Sequence, residues 1–174
     1  ENFANGNIAT HNTEINYQER YDEWQSNFVK DEHGNIVTHN TRSGREEATL
    51  VKGARAPFDA GRPSGSKEKG TDMDHTVSAA EIIRDPEANA HLTKEEQIAF
   101  ANSDANLNEM DSARNRSKGD TPTEEWLDNP NAKGQKPKEI FGITDEEDKA
   151  LREKDAQARE EYEKRKKEGE QRSI

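Results

Sequence analysis

The 174-residue chain contains no cysteine, which excludes disulfide bonds and zinc sites built from thiolates. Long apolar runs are also missing, and no segment suits a membrane span or the apolar part of a signal peptide. Hydrophobic residues make up only 28% of the chain, whereas charged residues make up 36%. Such a polar chain cannot fill one globule of its length, so we expect a small folded centre with helical or extended appendages.

The net charge is −11, so the chain also lacks the excess of positive charge that is typical of nucleic-acid-binding proteins. The charge is unevenly distributed. Basic residues outnumber acidic ones between residues 42 and 69, and the acidic residues concentrate after Asp120. The sequence therefore predicts a basic cleft with an acidic tail, and weak binding of nucleic acid in the absence of a partner.

The segment from residue 71 to 120 carries residue types that suit phosphodiester hydrolysis. A short predicted strand contains the pair Asp74-His75; Asn106 follows, and Asn115 comes nine positions later in a basic segment. Histidine suits a general base because its ordinary pKa lies near neutrality. Carboxylate and amide oxygens are the ligands that a hard divalent cation prefers.

This order of Asp-His, Asn and Asn resembles the HNH family of endonucleases, also called ββα-metal or His-Me finger nucleases. Within this family, the pattern most resembles the HNH domain of CRISPR effector nucleases. The resemblance covers about a third of the chain. It implies a single metal ion held by Asp74 and Asn115, with His75 as the general base. It also implies that Asn106 orients the His75 ring. Asn108 is the alternative for that role because it would share a strand face with Asn106, but the family spacing to Asn115 favours Asn106.

The ligand types that the resemblance implies favour Mg²⁺ or Mn²⁺ over Zn²⁺. Basic side chains near the motif would contact the phosphate backbone, and these are Lys69, Arg114, Arg116 and Lys118. The predicted function is metal-dependent hydrolysis of phosphodiester bonds. One general base and one metal ion cut one strand, so we expect a single copy of the protein to nick DNA. RNA is the alternative substrate.

The predicted fold is α+β, with a small ββα centre, a helical insertion and a long charged C-terminal helix. Capping boxes at Ser78 and Thr93 predict two helices in the insertion between the motif strands. We predict an N-terminal extension with a helix and a hairpin over residues 1–53, a nuclease core over 54–143 and a helical arm over 144–174. Paired charges and few apolar residues predict that the arm is solvated and that its removal leaves the core stable.

Two alternative functions remain open at this point. One is a nuclease toxin or defence module that an immunity protein neutralises. The other is a non-enzymatic structural or interaction protein of a phage or mobile element, with a decayed site. We expect a cytoplasmic protein that has no membrane partner and binds nucleic acid. A delivered toxin or a virion-associated protein is the alternative location, and an immunity or carrier protein the alternative partner.

Overall fold

The computed structural model describes residues 17–41, 44–52, 54 and 70–173. In these residues the elements are α1 (Tyr17–Gln25), β1 (Thr38–Asn40), β2 (Glu46–Ala48), β3 (Thr71–His75), α2 (Ala79–Arg84), α3 (Pro86–His91), α4 (Lys94–Ala101), β4 (Leu107–Asp111), α5 (Ser112–Lys118), α6 (Thr123–Asp128), α7 (Pro137–Phe141) and α8 (Asp145–Ser173). The chain is therefore α+β, as predicted, with two small antiparallel sheets and a long C-terminal helix. None of the helices in these ranges combines the length and apolar character that crossing a membrane requires.

The helix and hairpin predicted near the N-terminus are both present. The hairpin turns at Gly34, whose φ of +83° suits glycine, and an antiparallel bridge pairs Lys30 with Ile36. β1 and β2 continue the structure as an antiparallel pair. The N-terminal part also contacts the predicted insertion, because the Trp24 indole donates a hydrogen bond of 2.7 Å to the Ile83 carbonyl.

The motif strands β3 and β4 pair with each other in antiparallel register, with Asp74 opposite Asn108. The helices α2, α3 and α4 fill the interval between these strands, and α5 begins directly after β4. The Asp111 side chain caps α5 by accepting hydrogen bonds from the first-turn amides. The chain thus follows the strand, insertion, strand, helix order that the sequence predicts.

The insertion contains three helices where the sequence predicted two. Ser78 caps α2, and Thr93 with Glu96 forms a full capping box on α4, as expected. The additional helix, α3, begins at Asp85-Pro86, directly after α2. The Asp85 carboxylate accepts hydrogen bonds from amides of the next turn, and Pro86 occupies the first helical position, so the pair also begins a helix.

The C-terminal helix α8 is not the solvated arm that the sequence predicted. Ala158 is fully buried and Tyr162 is 5% exposed, and both belong to the main hydrophobic core with residues of the insertion. The Tyr162 ring stacks on Phe100 of α4, with ring centroids 4.9 Å apart. The prediction was wrong because a few small and aromatic residues suffice to bury one face of a helix that is polar on average. Removal of α8 is therefore expected to unfold this core.

Long charged side chains extend the contact between α8 and the insertion. The ion pairs are Arg159–Glu81 at 2.7 Å, Lys166–Asp85 at 2.9 Å and Arg172–Glu96 at 2.6 Å. The helix also passes very close to α3, since a Cβ atom at Gly169 would collide with the carbonyl oxygen of His91. Charges that the sequence assigned to a solvated face therefore also hold α8 against the rest of the fold.

We predict that Ala158→Asp destabilises the protein by about 3 kcal/mol or more, because it would place an unpaired carboxylate in the core. Ala156→Asp is the matched control, since Ala156 is exposed on the same helix. It should change the free energy of unfolding by less than about 0.5 kcal/mol. Urea titrations followed by circular dichroism measure both values. Equally small effects would show that α8 does not contribute to the core.

Candidate functional site

Three of the predicted site residues line one open cleft of about 400 Å³. Asp74 and His75 come from the end of β3, and Asn115 comes from α5. The other lining residues are Met73, Ser78, Ala79, Ala80, Gly119 and Asp120. We call this the motif cleft. It forms because α5 packs against both strands of the β3–β4 sheet, which brings residues that are distant in sequence to one place.

Asp74 lies in a buried position at the motif cleft, with 4% of its surface exposed. Burial raises the pKa of its carboxyl group above the ordinary value, whereas the Lys118 ammonium and, to a smaller extent, His75 lower it. The Lys118 Nζ atom lies 3.3 and 3.4 Å from the two carboxylate oxygens. The Asp74 carboxylate is therefore a group whose charged form depends on a nearby cation.

The structure differs from the sequence prediction at Lys118, which was expected to contact phosphate. Its side chain is fully buried, and the residue as a whole is 1% exposed. Lys118 is the last residue of α5 and lies one turn after Asn115, on the side of the helix that faces β3. The buried carboxylate attracts the ammonium group to the interior of the protein.

The His75 ring is held by Asn102, the C-cap residue of α4. The ring Nε2 atom lies 2.8 Å from the Asn102 Oδ1 atom. An amide oxygen can only accept a hydrogen bond, so Nε2 carries the ring proton and Nδ1 keeps a free lone pair in neutral His75. The end of the insertion thus fixes both the orientation and the tautomer of the imidazole.

Contrary to the prediction, Asn106 makes no hydrogen bond to the His75 ring, and neither does the alternative, Asn108; both residues lie in the described part of the chain. The Asn106 side chain is fully buried, and its Oδ1 atom accepts a hydrogen bond of 2.7 Å from the Val77 amide. Its Nδ2 atom donates to the carbonyls of Val77 and Ala101, both at 3.0 Å. These backbone contacts use its oxygen and both of its N–H groups, so Asn106 shapes the chain after His75 and leaves the ring to another residue.

The four predicted phosphate contacts have different environments. Arg116 is exposed, and within the described ranges its side chain makes no hydrogen bond or ion pair. Arg114 instead donates to the Glu147 carboxylate at 3.1 Å and to the Phe141 carbonyl at 3.2 Å. Lys118 is buried, as described above, and Lys69 lies outside the described residues. Of the three predicted contacts that lie in the described residues, Arg116 is therefore the one whose side chain is available to a phosphate group.

The residues of the motif cleft suit a hard divalent cation. Asp74 supplies carboxylate oxygens and Asn115 an amide oxygen, and Mg²⁺ and Mn²⁺ prefer oxygen donors. Across the described ranges, no group of three or more histidine, aspartate and glutamate side chains is placed to hold a metal ion. A site with one carboxylate and one amide would leave several coordination positions for water and phosphate, as Mg²⁺ commonly does.

Comparison of the chain with protein-family models, curated proteins and solved structures finds no match. The geometry and chemistry of the cleft are therefore the features that indicate a function. The sequence resemblance selected Asp74, His75 and Asn115, which lie together. It did not select Asn102. The sequence feature that could have indicated Asn102 is its position, as an amide residue, at the predicted end of a helix.

We predict that Asn102→Ala lowers kcat about tenfold or more for a hydrolysis in which His75 acts as the general base, with little change in KM, because the His75 ring loses its orientation. Asn102→Asp keeps an oxygen acceptor and should recover much of this rate. The carboxylate would also stabilise the protonated ring, so the acidic limb of the pH–rate profile should move to higher pH. Asn108→Ala is the matched control and should leave the profile unchanged. An unshifted profile for Asn102→Asp would contradict the positioning role.

Proposed function

We propose that this chain is a metal-dependent endonuclease of the HNH type that nicks DNA. The observation that carries the proposal is the position of Asp74, His75 and Asn115 around one cleft, although about forty residues separate the first from the last. A carboxylate, an imidazole and an amide oxygen are the groups needed to hold a hard cation beside a general base. The order of strands and helices around them supports the same proposal.

His75 is the general base in this proposal. Its Nε2 atom is engaged with Asn102, so Nδ1 is the atom that takes the proton from the attacking water. Asp74 and Asn115 would hold the divalent cation, which stabilises negative charge on the phosphate during cleavage. A single general base serves one strand at a time, which is why the proposed product is a nick.

Arg116 is the proposed contact with the phosphate backbone. It follows Asn115 directly in α5 and is exposed. A basic side chain at this position would anchor the strand beside the cleft without reading its sequence. The net charge of −11 opposes DNA binding over longer distances, so we expect weak and strongly salt-dependent affinity.

The proposed activity predicts that the protein converts supercoiled plasmid to open circles in Mg²⁺ or Mn²⁺, and that a chelator stops the reaction. His75→Ala should reduce the rate by about 10²–10⁴-fold with an unchanged fold, because the general base is lost. His33→Ala is the matched control, since this side chain is 75% exposed at a hairpin turn, and it should cleave at the wild-type rate. Wild-type cleavage by folded His75→Ala protein would contradict the mechanism. Labelled RNA tested in parallel identifies the preferred substrate.

A second prediction of the proposal concerns Arg116. In the inactive His75→Ala background, Arg116→Gln should weaken binding to a short DNA duplex. The slope of log K against log salt concentration should fall in magnitude by about 0.9, the value for one lost phosphate contact. Lys94→Gln is the control, because Lys94 is exposed at the opposite end of α4 from Asn102. Equal slopes for the two variants would place the DNA elsewhere.

A further inference from the structure

We propose that Lys118 is an internal competitor of the divalent cation: its ammonium group and the cation are mutually exclusive partners of Asp74. The inference rests on the proposed function, because it assigns Asp74 as a metal ligand. The observation is a buried ion pair at the motif cleft. Lys118 is 1% exposed, Asp74 is 4% exposed, and the two groups are 3.3 Å apart at their nearest atoms.

Burial makes each of the two charges depend on the other. A lysine is rarely fully buried unless it is paired, and an isolated buried carboxylate is strongly destabilising. Lys118 therefore compensates the charge of Asp74 and keeps the cleft folded in the absence of a cation. Removal of one partner from such a pair leaves the other charge buried without compensation.

The Lys118 contact is nevertheless a poor one for an ion pair. An ammonium group has three hydrogens to donate, and within the described part of the chain the Lys118 ammonium group donates only to Asp74. The distances of 3.3 and 3.4 Å exceed the roughly 2.7–2.9 Å of strong charge-assisted hydrogen bonds. A cation that binds the carboxylate closely can therefore replace this contact.

Simultaneous binding of both cations to Asp74 is unfavourable. A divalent cation held by Asp74 would bind its carboxylate oxygens directly. The Lys118 Nζ atom is within 3.4 Å of both carboxylate oxygens, so the two positive charges would be only a few ångströms apart in a buried environment. Their repulsion is strong there because little water screens it. The cation thus has to displace the ammonium group, which lowers its affinity for the cleft.

Lys118→Met in the chain of residues 1–174 tests the inference, because methionine keeps an unbranched apolar side chain and removes the charge. Titration calorimetry with Mn²⁺ should show binding to Lys118→Met that is about tenfold tighter or more than to wild type, since a nearby like charge is removed. Lys149→Met, at an exposed position of α8, controls for the change in net charge and should bind within about twofold of wild type. Unchanged or weaker binding by folded Lys118→Met would overturn the inference.

Thermal unfolding supplies an independent readout of the same variant. Without Mn²⁺, Lys118→Met should melt below wild type, because Asp74 then lacks a partner. Saturating Mn²⁺ should raise the melting temperature of the variant more than that of wild type. An equal rise in both proteins would contradict mutual exclusion.

If Lys118→Met does not fold, lysine acetylation of the wild-type chain, measured by mass spectrometry, tests the inference instead. Lys118 should be protected without Mn²⁺ and become reactive at saturating Mn²⁺, and protection in both conditions would overturn the inference. If neither wild type nor Lys118→Met binds Mn²⁺, the metal site fails and the inference fails with it. If both bind Mn²⁺ equally and His75-dependent nicking persists, the inference alone fails.

Discussion

The buried side chain of Asn106 is the contact on which the rest of the site depends. It joins the backbone of Val77, just after the Asp-His pair, to the carbonyl of Ala101 at the end of the insertion. Asn106 itself immediately precedes β4, so one amide fixes three separate segments of the chain. Loss of such a group would leave several buried backbone groups unpaired, each at a cost of about 1–3 kcal/mol. This clamp brings the helix end that carries Asn102 to His75.

Support for this arrangement extends to the C-terminal helix. The insertion helices α2, α3 and α4 have only six to eight residues each, and helices this short are not stable without tertiary packing. α8 supplies that packing, because Tyr162 stacks on Phe100, two residues before Asn102. A side chain far from the cleft in sequence therefore helps to hold the residue that positions the imidazole. Damage to α8 should reach the site through α4.

Local sequence patterns predicted much of the secondary structure. They could not predict contacts between segments that are distant in sequence. The strand at Asp74, the cap at Thr93 and the helix after Asp111 follow from residue order, spacing and capping preferences. The choice between Asn102 and Asn106 could not be predicted, because either amide can bond a ring or a backbone and only tertiary structure decides. Lys118 was misassigned for a related reason, since a basic residue beside a motif is normally exposed and its burial depends on the position of Asp74.

Internal use of positive charge limits how the proposed nuclease can attract DNA. Arg114 is engaged with Glu147 and the Phe141 carbonyl, and Lys118 is engaged with Asp74, so neither increases the positive potential of the cleft surface. Arg116 contributes one exposed charge against a net charge of −11. A bound divalent cation would therefore supply a large share of the local positive charge. In the proposed nuclease, cation binding and DNA binding should then be coupled, because a phosphate in the cleft would be attracted mainly by the ion that would also promote its cleavage.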